Sequence, residues 1–299
     1  MIYIKEVPYK MAGRMFHIND SVITVGGKDG TATVTFGDGQ VPLIAGPCAI
    51  ESRSQLLDIA QKVKNAGADI LRGGAFKPRT SPYSFQGLGA EGLQYLSEAK
   101  ALTGLPTVSE IMDVSQIPLF EDVDILQVGA KNMQNFSLLK ALGQVKKPVL
   151  LKRGFGCTIE EFLLSAEYIL AYGNPNVILC ERGEKNFEPM TKFSMDMGVF
   201  SLIREQSHLP IIADPSHGSS NASLVRPLTK AAVVAGAQGI MVEVHDDPEN
   251  ALCDGKQAIS SDELGNIAKD VQVLAPYAHH PKNPFLGNFN DIKLHTSKE

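Results

Sequence analysis

From Val41 onward the chain alternates short, largely apolar runs with longer amphipathic segments, and glycine, proline and polar residues mark the joints. The apolar runs are Leu43–Ala45, Ile70–Arg72, Thr107–Glu110, Ile125–Val128, Val149–Lys152, Val177–Cys180, Ile211–Ala213 and Ile240–Val244. Runs this short, with little polar alternation, suit parallel strands buried on both faces. Proline stands just ahead of several of them (Pro42, Pro106, Pro148, Pro210), where it ends the preceding connection.

The intervening segments carry helical spacing. Ser52–Asn65 opens on a serine and places Leu56, Ile59, Ala60 and Val63 on one face. Thr158–Ala171 begins with Thr158 and has Glu161 three residues on, the reciprocal capping pattern. Asn221–Ala235 and Ser261–Leu274 repeat the helical period. Eight strand–helix units over residues 41–275 predict an α/β protein of the (β/α)8 TIM barrel class, with an open doubly wound sheet as the alternative. Ahead of the barrel, within residues 1–40, Ser21–Thr24 and Thr31–Thr35 flank the turn GGKDG. They predict a β-hairpin able to plug the N-terminal mouth. Residues 276–299 turn polar and asparagine-rich and read as an irregular C-terminal tail.

Composition narrows the partners. The chain has 299 residues and a formal charge of −5, from 28 basic and 33 acidic side chains. An acidic balance argues against nucleic acid or an anionic membrane as a general partner, so any positive potential has to be local. No apolar run is long enough to span a bilayer, and the four scattered cysteines read as reduced thiols of a cytoplasmic protein.

The local positive potential has an evident place. Barrel enzymes work at the carboxyl ends of their strands. Here those ends lead into Cys48, Arg72, Glu110, Lys131, Lys152–Arg153, Glu181–Arg182, Asp214–His217 and Glu243–His245. Residues 76–87, FKPRTSPYSFQG, add Lys77 and Arg79 after the second run. An excess of cations in one mouth of an acidic protein suits substrates bearing phosphate and carboxylate groups. The competing reading is structural ion pairing with Glu110, Glu181 and Glu243. Cys48, His217, Glu243 and Asp254 offer one thiolate, one imidazole and two carboxylates, a set that fits Mn²⁺, Fe²⁺ or Zn²⁺. The same residues also fit a buried core cysteine, a core histidine and the first position of an Asp-Gly turn.

The segments GPCAIES (46–52), LRGGAFKPRTSPYSFQGLG (71–89), VGAKNMQNF (128–136), HLPIIADPSH (208–217) and GIMVEVHDDPENALCDGKQ (239–257) resemble 3-deoxy-D-arabino-heptulosonate 7-phosphate (DAHP) synthase, class I beta branch. The resemblance implies condensation of phosphoenolpyruvate with erythrose 4-phosphate, the opening step of the shikimate pathway, on a metal-dependent barrel. It implies Cys48, His217, Glu243 and Asp254 as metal ligands, with Mn²⁺ first and Fe²⁺, Zn²⁺ or Co²⁺ as alternatives. Arg72, Lys77, Glu110, Ala130, Lys131, Lys152 and Arg182 match positions around phosphoenolpyruvate. Pro78, Arg79 and Thr80 match the segment that holds the sugar phosphate. Glu110, Lys77 or a metal-bound water are the candidates for handling protons, and the sequence does not decide among them.

Three departures stand out. Lys131 replaces an expected arginine, and the loop after the sixth strand reads EKNFEP and MTKFSMD where an arginine and an Arg-Asn pair are expected. Residues 1–40 are too few for the family's regulatory modules, so feedback inhibition through such a domain is not expected. A homo-oligomer, tetramer or dimer, is implied by resemblance alone. The rival activities are a synthase using another phosphorylated aldose such as arabinose 5-phosphate, a Schiff-base aldolase using Lys152, and a barrel that only binds phosphorylated ligands.

Overall fold

The structure, a computed structural model, describes residues 7–28 and 30–279. A hairpin comes first, β1 (Ile23–Gly26) paired antiparallel with β2 (Thr33–Phe36). Eight parallel strands then close a barrel in the order β3 (Leu43–Gly46), β4 (Ile70–Arg72), β5 (Thr107–Glu110), β6 (Ile125–Val128), β7 (Val149–Lys152), β8 (Val177–Glu181), β11 (Ile211–Ala213) and β12 (Ile240–Glu243). The short pair β9 (Glu184–Lys185) and β10 (Phe193–Ser194) lies in the loop after β8. The closing contact runs from Ile240–Glu243 to Leu43–Gly46.

The doubly buried strands follow from their lack of polar alternation. Ile44, Ile70, Val108, Ile125, Leu150, Ile178, Ile212 and Met241 form one cluster, the filling of the barrel. Their neighbours Leu43, Ala45, Leu71, Leu126, Leu151, Leu179 and Val242 belong to a second cluster, shared with the helices. The period of two along a strand sends alternate side chains to opposite faces, and both faces here are covered.

The hairpin joins the inner cluster. Ile23, Val25, Val34 and Phe36 pack with the barrel-filling residues, and Phe36 is wholly buried. It sits at the strand starts, since a Cβ on Gly239, just before β12, would meet the Phe36 ring at 3.1 Å. Its strands lie about two residues further along than the pattern suggested. Gly26 is in the first strand, because pairing continues to Gly26 opposite Thr33.

The α-helices are α1 (Arg53–Asn65), α2 (Ala90–Thr103), α3 (Phe136–Leu142), α4 (Ile159–Ala171), α5 (Gly198–Gln206), α6 (Pro215–Ser219), α7 (Ala222–Ala235) and α8 (Ser261–Leu274), of which the one-turn α6 is mostly buried and brings His217 to the barrel mouth. Ser52 caps α1, accepting from the Gln55 amide at 3.1 Å. Thr158 and Glu161 make the reciprocal cap of α4 at 3.1 and 2.8 Å. One connection departs from the strand–helix rhythm. Between β5 and β6 the chain forms a 3-10 helix, Val114–Phe120, capped by Asp113 and interrupted by Pro118, in place of an α-helix. The missing proline N–H removes a helical hydrogen bond there. The expected tail lies mostly outside the described residues, which end at His279.

Candidate active site

The carboxyl ends of the barrel strands open into a cleft of about 320 Å³. Its lining includes Arg72, Lys77, Pro78, Arg79, Thr80, Glu110, Ala130, Lys131, Lys152, Arg182, His217 and Asp254. Every residue expected around the two substrates is therefore at the same mouth. Two glycines make the approach possible. A Cβ on Gly74 would strike the Cys48 carbonyl oxygen at 2.5 Å and Lys77 Cδ at 2.9 Å, so glycine lets the Lys77 side chain fold over Cys48. A Cβ on Gly129 would overlap Glu110 Oε1 at 2.0 Å.

The cations divide by purpose. Arg72 and Lys77, only 4% and 7% exposed, reach inward. Arg72 Nη2 pairs with Glu243 Oε1 at 3.0 Å, yet Nη1 of the same guanidinium is buried with no hydrogen-bond partner among the described residues. Lys152 pairs with the buried carboxylate of Asp214. Arg182 lies against the stacked rings of Phe155 and Phe193, its guanidinium carbon 4.8 and 4.0 Å from their centroids. Such cation–π contacts fix the plane of the guanidinium. Lys131 bonds the Pro78 carbonyl oxygen at 2.6 Å and Thr80 Oγ1 at 3.3 Å, so it clamps the KPRT turn. Arg153 does not join the cleft. It is tied to Glu181 at 3.0 Å, to Asp196 at 3.2 Å and to Glu184. Once Lys152 points inward, its strand neighbour has to point away.

At one end of the cleft sit the expected metal donors. Asp214 N-caps α6, accepting from the His217 backbone N–H at 3.0 Å. Its other oxygen holds His217 Nδ1 at 2.8 Å. That bond places the ring proton on Nδ1 and leaves a lone pair on Nε2. Burial lowers the His217 pKa, against the pull of Asp214 and Glu243, so the ring is neutral near pH 7. Nε2 then faces Glu243 Oε1 at 3.3 Å, and Oε1 is buried without a hydrogen bond. An imidazole lone pair set against a carboxylate oxygen in a dry site suits a cation between them, in addition to the Arg72 ion pair on that oxygen. Gln257 Nε2 donates to the other Glu243 oxygen at 2.6 Å, fixing the carboxylate.

Donor atoms of Cys48, His217 and Glu243 lie within 4.8 Å of one another, as do those of Cys48, Cys253 and Asp254. The expected four ligands thus fall into two groups that share Cys48, with Cys253 as an addition. Asp254 adopts the left-handed backbone conformation (φ 52°), a strained setting for a non-glycine residue that aspartate tolerates better than most. Its carboxyl accepts from Cys48 Sγ at 3.3 Å, and Lys77 Nζ donates to Cys48 Sγ at 3.1 Å. The contact with Cys253 and burial push the Cys48 thiol well above its ordinary range, with Lys77 pulling the other way. Burial opposes ionisation of Asp254, but nearby positive charge, Lys77 included, and hydrogen bonds from Cys253 and Cys48 together bring its pKa below the usual carboxylate range.

The residues expected from sequence come together, and four further ones support them. Gln257, Phe193 and Cys253 were not singled out and Asp214 was named only as a strand end with no role, although Asp214 stands at capping distance before His217 and Cys253 directly precedes Asp254. The departures after β8 put Lys192 and Phe193 on the cleft wall.

A model of the DAHP synthetase I family matches residues 18–278. The chain is 49% identical over 269 residues to the phospho-2-dehydro-3-deoxyheptonate aldolase of Thermotoga maritima, covering 90% of this chain and 78% of that one. A crystal structure of the Thermotoga maritima DAHP synthase superposes with a TM-score of 0.85 at 48% identity, over 90% of this chain and 78% of that one. The 2-dehydro-3-deoxyphosphooctonate aldolase of Syntrophotalea carbinolica is 33% identical, over 81% of this chain and 94% of its own length. A match over this span, on a closed barrel whose cleft gathers the same motifs, makes the chain a member of the DAHP synthetase I family.

Proposed function

We propose that this chain condenses phosphoenolpyruvate with erythrose 4-phosphate and water, giving DAHP and inorganic phosphate. The observation that carries the reading is a pair of unsatisfied groups at one cleft. Among the described residues Arg72 Nη1 is a buried donor with no hydrogen-bond partner, open to an anion, and Glu243 Oε1, though ion-paired with Arg72 Nη2 at 3.0 Å, accepts no hydrogen bond and faces His217 Nε2 at 3.3 Å. Arg72, Lys77, Lys152 and Arg182 bind the phosphate and carboxylate of phosphoenolpyruvate, each contact contributing about 1.5–3 kcal/mol where water is excluded. Arg79 and Thr80, on the turn clamped by Lys131, receive the aldose phosphate.

Cys48, His217, Glu243 and Asp254 would hold a divalent metal, which when bound supplies Lewis-acid polarisation of the aldehyde oxygen. The remaining work falls to the chain. Holding C3 of phosphoenolpyruvate against the aldehyde carbon makes the encounter effectively intramolecular. The C2–C3 π pair forms the new C–C bond, the former aldehyde oxygen takes up a proton, and water adds at the electron-poor C2; the C2–O bond then breaks with its electron pair leaving on phosphate as the C2 hydroxyl loses its proton to give the ketone. Glu110 takes the proton from that water. Among the described residues it makes no ion pair, and Gln127 Nε2 orients its Oε2 from 3.4 Å. The ion pair with Asp214 occupies the Lys152 amine and speaks against Schiff-base chemistry.

We also infer residues 41–275 as the catalytic unit, a homo-oligomeric assembly and a cytoplasmic location, on the family resemblance and the free thiols. The test is phosphate release with both substrates, before and after chelation, with arabinose 5-phosphate offered in place of erythrose 4-phosphate. Faster turnover with the five-carbon aldose would reassign the substrate, and no turnover with either would leave a binding protein.

A further inference from the structure

Behind the cleft wall, against Arg79 and Asp254, lies a thiol that the four-ligand set does not use. Cys253 Sγ lies 3.4 Å from Cys48 Sγ, and both sulfurs approach Asp254 Oδ2 at 3.3 Å. Both cysteines are 4% exposed and neither is in a disulfide. A buried free cysteine usually fills apolar space. The Cys253 sulfur instead touches a second sulfur, a carboxylate and, at 2.6 Å, the guanidinium of Arg79. Lys77 Nζ stands at 3.1 Å from the other sulfur. Each sulfur therefore has a cation against it.

We propose that Cys253 is a second thiolate donor to the metal held at Cys48, and that it makes this centre thiophilic. The proposal rests on the metal reading above and adds to it. One sulfur, one imidazole and two carboxylates would accept Mn²⁺ readily. A second sulfur shifts the balance to Zn²⁺ and Co²⁺, because thiolate selects softer ions whereas oxygen donors suit Mn²⁺. Binding releases the protons of both thiols, since the thiolate is the ligand. The added negative charge lies beside Arg79 and Lys77, so the site is built to accept it.

The test uses the full chain, stripped of metal by chelator and kept reduced. Titration with Co²⁺ gives a sulfur-to-cobalt charge-transfer band whose intensity counts thiolates. Cys253→Ser is expected to cut that band to about half and to weaken Co²⁺ and Zn²⁺ binding by at least about tenfold, while Mn²⁺ affinity changes little. Zinc X-ray absorption on the unaltered chain gives an independent count, with two sulfurs expected at about 2.3 Å. One sulfur per zinc, or an undiminished band in Cys253→Ser that Cys48→Ser abolishes, overturns the proposal and leaves the metal reading standing. No thiolate band in the unaltered chain sinks both.

Discussion

Asp214 is the residue through which the metal donors and the substrate cations meet, and replacing it by asparagine should show this. Its carboxylate is wholly buried, holds His217 Nδ1 at 2.8 Å and pairs with Lys152. Two losses follow from Asp214→Asn. The first is orientation of the imidazole: loss of such a supporting partner costs about 10–100-fold in metal affinity, or about 1.4–2.8 kcal/mol. The second is the buried Lys152 ammonium, 4% exposed, left without its counter-charge. Breaking a buried pair from one side costs about 3–5 kcal/mol. That charge lies in the cleft, so a bound anion can restore the pairing. Denaturant titration should therefore show a large loss of stability in the free variant, and phosphoenolpyruvate should recover more of it than it adds to the unaltered chain. Competition with a zinc chelator reads the first loss. Zinc affinity within about twofold of the original, together with a stability loss below about 1 kcal/mol, would refute the reasoning.

Three other outcomes are expected. Lys131→Met frees the Pro78–Thr80 turn and should raise KM for the aldose phosphate about tenfold with a smaller change in kcat, and Lys131→Arg should restore it; equal effects on the KM of both substrates would count against a turn clamp. Phe36→Ala empties a wholly buried site under the barrel and should cost about 3–5 kcal/mol in urea unfolding, where a cost under 1 kcal/mol would mean the hairpin is not part of the core. His208 bonds Met11 and Ser21, and burial lowers its pKa below 6.5, with His17 and Arg14 adding to the shift and the Met11 carbonyl and Asp20 opposing it. The unfolded chain then binds the proton more readily, so this contribution is complete above pH 6.5 and fades as pH falls below it. A thermal melting series in which His208→Asn leaves the acid limb between pH 7 and 5 unchanged would remove His208 as its source.

Much of the barrel was legible because its strands are buried on both faces, and such strands show as apolar runs whatever surrounds them. Five of the eight runs have the bounds seen in the structure; the first and sixth strands extend one residue further, to Gly46 and Glu181, and the last stops one earlier at Glu243. Helix α2 left a weaker trace, since Gly89 offers no side-chain cap and its apolar face is diluted by Gly92 and Tyr95. The cleft residues on strand ends were readable for a topological reason: a barrel brings every carboxyl end to one face. What the pattern could not supply was direction within the face. Arg153 is as charged as Lys152, and only the strand period separates the one that lines the cleft from the one that braces the loop. Cys253 looked like a stray thiol because its partner is 205 positions away in the chain.

The hairpin beneath the barrel changes where this fold begins. A fusion or truncation designed at residue 41 would follow the eightfold repeat and still cut through a hydrophobic contact, stripping Ile23, Val25, Val34 and Phe36 from the barrel's filling. The repeat is complete without those residues, but the oil drop inside it is not. Anyone grafting a second module onto this scaffold should join it ahead of Ile23, and anyone redrawing the catalytic rim can treat the corked base as the ballast that absorbs the loss.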